Sequence, residues 1–140
     1  MYEDYTRQAL PSKEYRELLG TCLCVFNSNN SFVIENMLSN SSELNWYNLV
    51  DLESGRLRAE FNKMSSPFPE AIVNLFLELV VRRNRIIHSF QITMDNVQIL
   101  ATKTRVRDGN EQFIISKEYL IEFISMNEKL STLLHEFRGY

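Results

Sequence analysis

The stretch from Ile72 to Ile87 most constrains what this chain can fold into. Ile72, Val73, Leu75, Phe76, Leu79, Val80, Ile86 and Ile87 recur within it, and its first half is apolar nearly all round. A helix without a polar face has to be wrapped by other elements, so it is expected at the centre, as the most buried helix. Ser65-Ser66-Pro67-Phe68-Pro69 precedes it and is the clearest breaker in the chain. Proline is tolerated in a first turn, which places the helix start near Pro69 or Glu70. Only four glycines and three prolines interrupt 140 residues, a scarcity that favours long helices over a many-turned β sandwich.

Other helices are expected around this centre. Ser12-Lys13-Glu14-Tyr15 reads as a capping variant opening a helix. Tyr15, Leu18, Leu19, Cys22, Val25, Phe26, Phe32 and Val33 carry its helical spacing to about Leu38, across a polar stretch at Asn27–Ser31. After the Ser39-Asn40-Ser41-Ser42 loop, Leu49, Leu52, Leu57 and Phe61 predict a second helix over about 45–64, with Gly55 as its weak point. Past Ser89 the pattern changes to alternation through Val97, Ile99 and Ala101, then Phe113 and Ile115. With Asp108-Gly109 as a turn signal, this predicts a two-stranded hairpin at 96–115. Ser116-Lys117-Glu118-Tyr119 caps a last helix over about 117–137, striped by Leu120, Phe123, Ile124, Leu130, Leu133, Leu134 and Phe137. The expectation is an all-α, four- to five-helix up-and-down bundle with a small β-hairpin before the last helix. It forms one domain over 1–140, with residues 1–10 as a flexible arm.

Composition narrows the function. The net charge is −3, which argues against a protein that coats DNA nonspecifically but leaves room for a local basic patch. Cys22 and Cys24 lie two apart on a helix and point roughly 200° away from each other, so they do not bridge. Both read as core residues of a protein from a reducing compartment. No stretch approaches the ~20 apolar residues of a bilayer span, and the polar, acidic MYEDYTRQAL start is unlike a secretion signal. A cytoplasmic location without membrane contact is expected.

The candidate chemistry sits where the central helix ends, in Val81-Arg82-Arg83-Asn84-Arg85-Ile86-Ile87-His88-Ser89-Phe90. Asn84 and His88 are i,i+4 and share a face, with Arg85 close to it. Arg83 lies roughly 140° round from His88. Within one chain these two meet only if the long arginine bends, whereas two packed copies of the helix would close the gap. An imidazole can take or give the proton of a ribose hydroxyl. An arginine fork can hold a phosphate and stabilise charge built up during attack. Asn84 can orient either group. No cluster with metal-ligand spacing accompanies them, so neither a metal nor another cofactor is called for.

Arg83-Asn84-Arg85-Ile86-Ile87-His88 resembles the Arg-x4-6-His signature of HEPN domains, in which a polar residue commonly follows the arginine. The resemblance implies a helical bundle, a homodimer that brings two motifs together in a composite site, and metal-independent endoribonuclease activity. In that scheme the 2′-hydroxyl attacks the adjacent phosphate and leaves a cyclic phosphate end, with Arg83, Asn84 and His88 as catalytic residues. It further implies an RNA substrate and a setting in toxin–antitoxin or antiviral defence systems, with an antitoxin or defence-system protein as partner. Some HEPN toxins carry a tyrosine two residues after the histidine, where it is modified by the antitoxin. Phe90 stands there in this chain, which excludes neutralisation by that route.

Simpler roles stand beside each of these. His88 can serve as a cationic cap of the helix C-terminus. Arg82 and Arg85 fit RNA phosphates or a solvated helix end. Lys103, Arg105 and Arg107 recur at period two, as an RNA-contacting strand face or as charges protecting an edge. Trp46 and Tyr47 suit packing anchors, or a base-stacking pair if exposed, and His135 reads as a surface residue. The rival to a nuclease is a catalytically silent RNA- or nucleotide-binding or protein-interaction module.

Overall fold

In the computed structural model, residues 1–139 are described, and they form four α-helices and one three-stranded antiparallel sheet. Helix α1 spans Lys13–Ser39, α2 Trp46–Asp51, α3 Glu70–Ile87 and α4 Lys117–Arg138. Strands β1 (Phe90–Met94), β2 (Val97–Lys103) and β3 (Gln112–Ile114) lie between α3 and α4. The expected ends of the long helices are found within a residue or two, because local chemistry sets them. Ser12 Oγ accepts from the Tyr15 N–H at 3.2 Å and Ser116 Oγ from the Tyr119 N–H at 3.1 Å, each satisfying a donor that a helix N-terminus leaves orphaned.

The chain is mostly helical, not all-α, and three long helices carry it. Pairings along α1 and α4 run in the same sense, with Tyr15 bonding Ile115, Cys22 near Leu120 and Asn29 bonding Asn127. Helix α3 runs against α4. Phe68, just before α3, meets Phe137, while Arg82 near its end meets Tyr119 and Glu122. The arrangement is therefore up, down, up. The second long helix expected at 45–64 is broken in two. After α2 the chain turns extended at Leu52 and Glu53, then runs as a 3-10 segment over Ser54–Lys63. Gly55 weakens an α-helix at this point. The tighter winding still buries Ser54, Leu57 and Phe61 against the core.

The core is aromatic. Phe26 of α1 stacks on Phe76 of α3 (centroids 6.4 Å apart, planes 8°) and on Phe123 of α4 (6.3 Å, 28°), so one ring touches all three long helices. Phe61 meets both Phe68 and Phe76. Helix α3 is nevertheless not wrapped on every side. Ala71, Asn74, Glu78, Val81, Asn84 and His88 form an exposed side, because three helices and a short segment cannot surround a fourth side.

The polar stretch Asn27–Ser31 does not loosen α1. Asn29 Nδ2 donates to the Asn127 carbonyl at 2.7 Å and to Asn127 Oδ1 at 3.0 Å, and Asn127 Nδ2 donates to the Phe123 carbonyl at 2.9 Å. Buried amides joined this way tie the two helices in one register. Asn29→Ala is expected to cost about 1–3 kcal/mol, read as a lower midpoint in urea unfolding. An unchanged midpoint would show that the pair contributes nothing to stability.

Strand β1 was not anticipated. It pairs with β2 from Phe90↔Ala101 to Met94↔Val97 through a two-residue turn at Asp95 (φ 53°) and Asn96 (φ 63°). Two left-handed residues in succession match the twist of a tight hairpin, and Asp and Asn tolerate that conformation. The Asp108-Gly109 signal instead lies in a longer loop between β2 and β3. There a 3-10 turn, Val106–Asp108, ends on Gly109 at φ 104°. Consequently Lys103, Arg105 and Arg107 do not share a strand face. Lys103 ends β2 and bonds Asn110 Oδ1 at 2.8 Å, while Arg105 and Arg107 are in the loop.

Two smaller readings change with the tertiary structure. Cys22 is buried, and burial pushes its thiol up to about 11, but Cys24 is exposed. Trp46 and Tyr47 do not anchor the core. They pack edge to face on each other and are 52% and 74% exposed. Residues 1–10 hold a 3-10 turn at Tyr2–Tyr5, an Arg16–Glu3 ion pair at 2.5 Å and a hydrogen bond from Gln91 to the Ala9 carbonyl.

Candidate functional site

The last turn of α3 ends in the open, beside residues 53–55, where the 3-10 segment begins. Between them is a concavity of about 320 Å3 lined by Glu53, Gly55, Arg83, Asn84, Ile87 and His88. One wall is the end of α3, and the other is brought there by packing of the Gly55 region on Val80. All three residues expected to carry chemistry therefore line a single groove within one protomer. Arg83 and His88 line it together although they lie on different faces of the helix, and the Arg83 guanidinium rests on the Phe26 ring.

Arg83 is the decisive side chain. It is half-buried, and its guanidinium lies 4.9 Å from the centroid of the Phe26 ring, a cation–π placement that fixes its direction. Its Nε is enclosed without a hydrogen bond among the described residues. Burial pulls its pKa below the ordinary arginine value, and the negative charge of Glu53 raises it in part. The group remains charged at any physiological pH. No carboxylate lies within ion-pair distance of it among the described residues.

Arg82, one residue earlier, is arranged in the opposite way. Its guanidinium is 3.3 Å from Glu78 and 3.3 Å from Glu122, and it lies over the Tyr119 ring at 5.4 Å. Two carboxylates already match its charge, and it faces α4 instead of the groove. Arg85 lies over the Phe113 ring at 5.3 Å and ties α3 to the sheet. Neither Arg82 nor Arg85 lines the concavity, nor do Lys103, Arg105 and Arg107.

His88 is the residue at which α3 ends. Its backbone N–H donates to the Asn84 carbonyl at 2.9 Å, and its side chain is exposed. The capping work is done by its neighbour, since Ser89 Oγ donates to the Ile86 carbonyl at 2.6 Å. Among the described residues the imidazole makes no hydrogen bond, which leaves both ring nitrogens to a ligand. Asn84 is exposed one turn earlier on the same face.

The groove resident that sequence reading missed is Glu53. Nothing in the sequence marks it. A lone glutamate thirty residues before the motif reads as surface charge, and only the break after α2 brings it to the end of α3. The other histidine, His135, is on α4 against the Phe32 ring, 4.6 Å between centroids, with Nδ1 2.8 Å from the Ser131 carbonyl. Among the described residues no group of three or more His, Cys, Asp or Glu could hold a metal ion, and no helix is long and apolar enough to cross a membrane.

A scan against protein-family models and searches of curated proteins and of solved structures return no match for this chain. The resemblance to HEPN domains therefore rests on the six residues from Arg83 to His88 alone.

Proposed function

We propose that the groove at the end of α3 cleaves RNA with side chains alone, as a metal-independent endoribonuclease. The observation that carries this reading is the meeting of Arg83, Asn84 and His88 in one open concavity, with no carboxylate in ion-pair contact with the arginine among the described residues. A cation held half out of water is a strong site for a phosphate, because the surroundings screen the attraction less than bulk solvent does. The 2′-hydroxyl attacks the neighbouring phosphorus, Arg83 stabilises the charge that gathers on the phosphoryl oxygens, His88 transfers a proton and Asn84 orients the ribose or the phosphate. The products are a 2′,3′-cyclic phosphate and a 5′-hydroxyl.

The HEPN resemblance adds the setting: a toxin or defence effector acting in the cytoplasm, held in check by a partner protein by a route other than modification of a tyrosine at position 90. It also adds a homodimer. Val81, which is 50% exposed, shares a helical face with Asn84 and His88, so pairing along this face would set two grooves beside one strand. A second reading, a silent RNA- or nucleotide-binding module, is favoured by the contact of Arg83 with Phe26, which spends part of the guanidinium on the core.

Purified protein incubated with a panel of single-stranded and hairpin RNAs in EDTA is expected to yield fragments ending in 2′,3′-cyclic phosphate. Retention of RNA on the protein without cleavage would select the silent module. An absence of both cleavage and binding would dismiss the groove as an RNA site.

A further inference from the structure

Cleavage of this kind needs two proton transfers, one from the attacking hydroxyl and one to the leaving oxygen. Arg83 and Asn84 do neither, since a guanidinium stays protonated and an amide does not titrate. Only two of the residues lining the groove can exchange a proton, His88 and Glu53, and the charged or titratable groups there are Glu53, Arg83 and His88. They come from different walls, His88 from the end of α3 and Glu53 from the stretch after α2. An in-line displacement places the attacking and leaving oxygens on opposite sides of phosphorus, so proton carriers on two walls suit it. Glu53 is exposed and takes part in no ion pair among the described residues. A bare carboxylate in a groove that receives a phosphate repels the substrate, a disadvantage that a role in proton transfer would offset.

Resting on the ribonuclease reading of the same groove, we propose that Glu53 is the general base and His88 the general acid of cleavage, both supplied by one protomer. The Glu53 carboxylate takes the 2′-hydroxyl proton as the oxygen bonds to phosphorus. The bond from phosphorus to the 5′-oxygen breaks, and the imidazolium gives that oxygen its proton. Glu53 leaves the step protonated and His88 neutral, and exchange with solvent restores both. No water is consumed and nothing is oxidised or reduced.

The test compares wild type, Glu53→Gln and His88→Ala in EDTA on one RNA and on the same RNA with sulfur in place of the 5′-oxygen at the cleavage point. Thiolate leaves without help from an acid. Glu53→Gln is expected to lower kcat by about 100-fold or more on both substrates, to flatten the acid limb of the pH–rate profile and to leave KM no higher, since the amide removes the repulsion. His88→Ala is expected to be slow on the oxygen substrate and restored on the sulfur one. Should Glu53→Gln keep the wild-type rate and pH profile, or should the sulfur substrate restore Glu53→Gln instead of His88→Ala, the assignment falls while the ribonuclease reading stands. A wild-type protein that cuts neither substrate overturns both.

Discussion

His88→Ala is expected to lower the single-turnover rate of RNA cleavage by about 10²–10⁴-fold, the range that a positioned proton-transfer group contributes, with thermal unfolding unchanged. The two halves of this expectation have separate grounds. The imidazole is exposed and bonds nothing among the described residues, while the helix end is secured by Ser89 and by the His88 backbone N–H, neither of which depends on the ring. Removing it should take away chemistry and little else. Arg83 offers no such clean separation, because its guanidinium packs on Phe26 and its removal disturbs both groove and core. A His88→Ala protein that cleaves as fast as wild type would remove the imidazole from the mechanism. A variant that fails to fold would show that His88 supports the structure after all.

Phe26→Ala is expected to be the most damaging substitution in the core. Its ring is 1% exposed and stacks on both Phe76 and Phe123, so truncation opens a cavity where α1, α3 and α4 meet. Loss of a buried phenylalanine of this kind costs about 3–5 kcal/mol. For a chain of this length that corresponds to a fall of roughly 10–15 °C in Tm. The same ring is the surface on which the Arg83 guanidinium rests. Cleavage measured well below the new Tm is therefore expected to fall as well, because the freed arginine loses its direction. Phe26→Leu refills much of the volume without the π face, and separates the two effects: stability should recover more than activity. Equal recovery of both would show that the cation–π contact does not position Arg83.

How far the sequence could be read depended on how local each cause was. Ser12, Ser116 and Pro69 are cap and breaker chemistry, complete within a turn, and the starts of α1, α4 and α3 are where that chemistry puts them. The second helix could not be delimited in this way. Leu49, Leu52, Leu57 and Phe61 fit a helical stripe, yet the chain meets the same burial requirement with a short helix, an extended pair of residues and a 3-10 segment. Strand β1 was overlooked because five residues alternating from Phe90 form a strand only when β2 is there to pair with them. The three candidate cations of the β2–β3 region appeared coplanar on the assumption of a continuous strand, and the loop at Arg105–Gly109 removes that premise.

The order of Arg83, Asn84 and His88 along one helix end, the apolar stripes and the helix caps are properties of neighbouring residues, so the amino-acid sequence alone determined them. Which arginine is left without an ion pair was decided elsewhere. Glu78 and Glu122 match the charge of Arg82, Phe26 carries Arg83, and Phe113 holds Arg85. Three of those four partners lie more than twenty residues away along the chain, and only packing brings them there. The same holds for Glu53, whose place in the groove follows from a break after α2 that burial of Ser54, Leu57 and Phe61 imposes. Proximity across a core is set by the collective filling of volume, which no local pattern encodes.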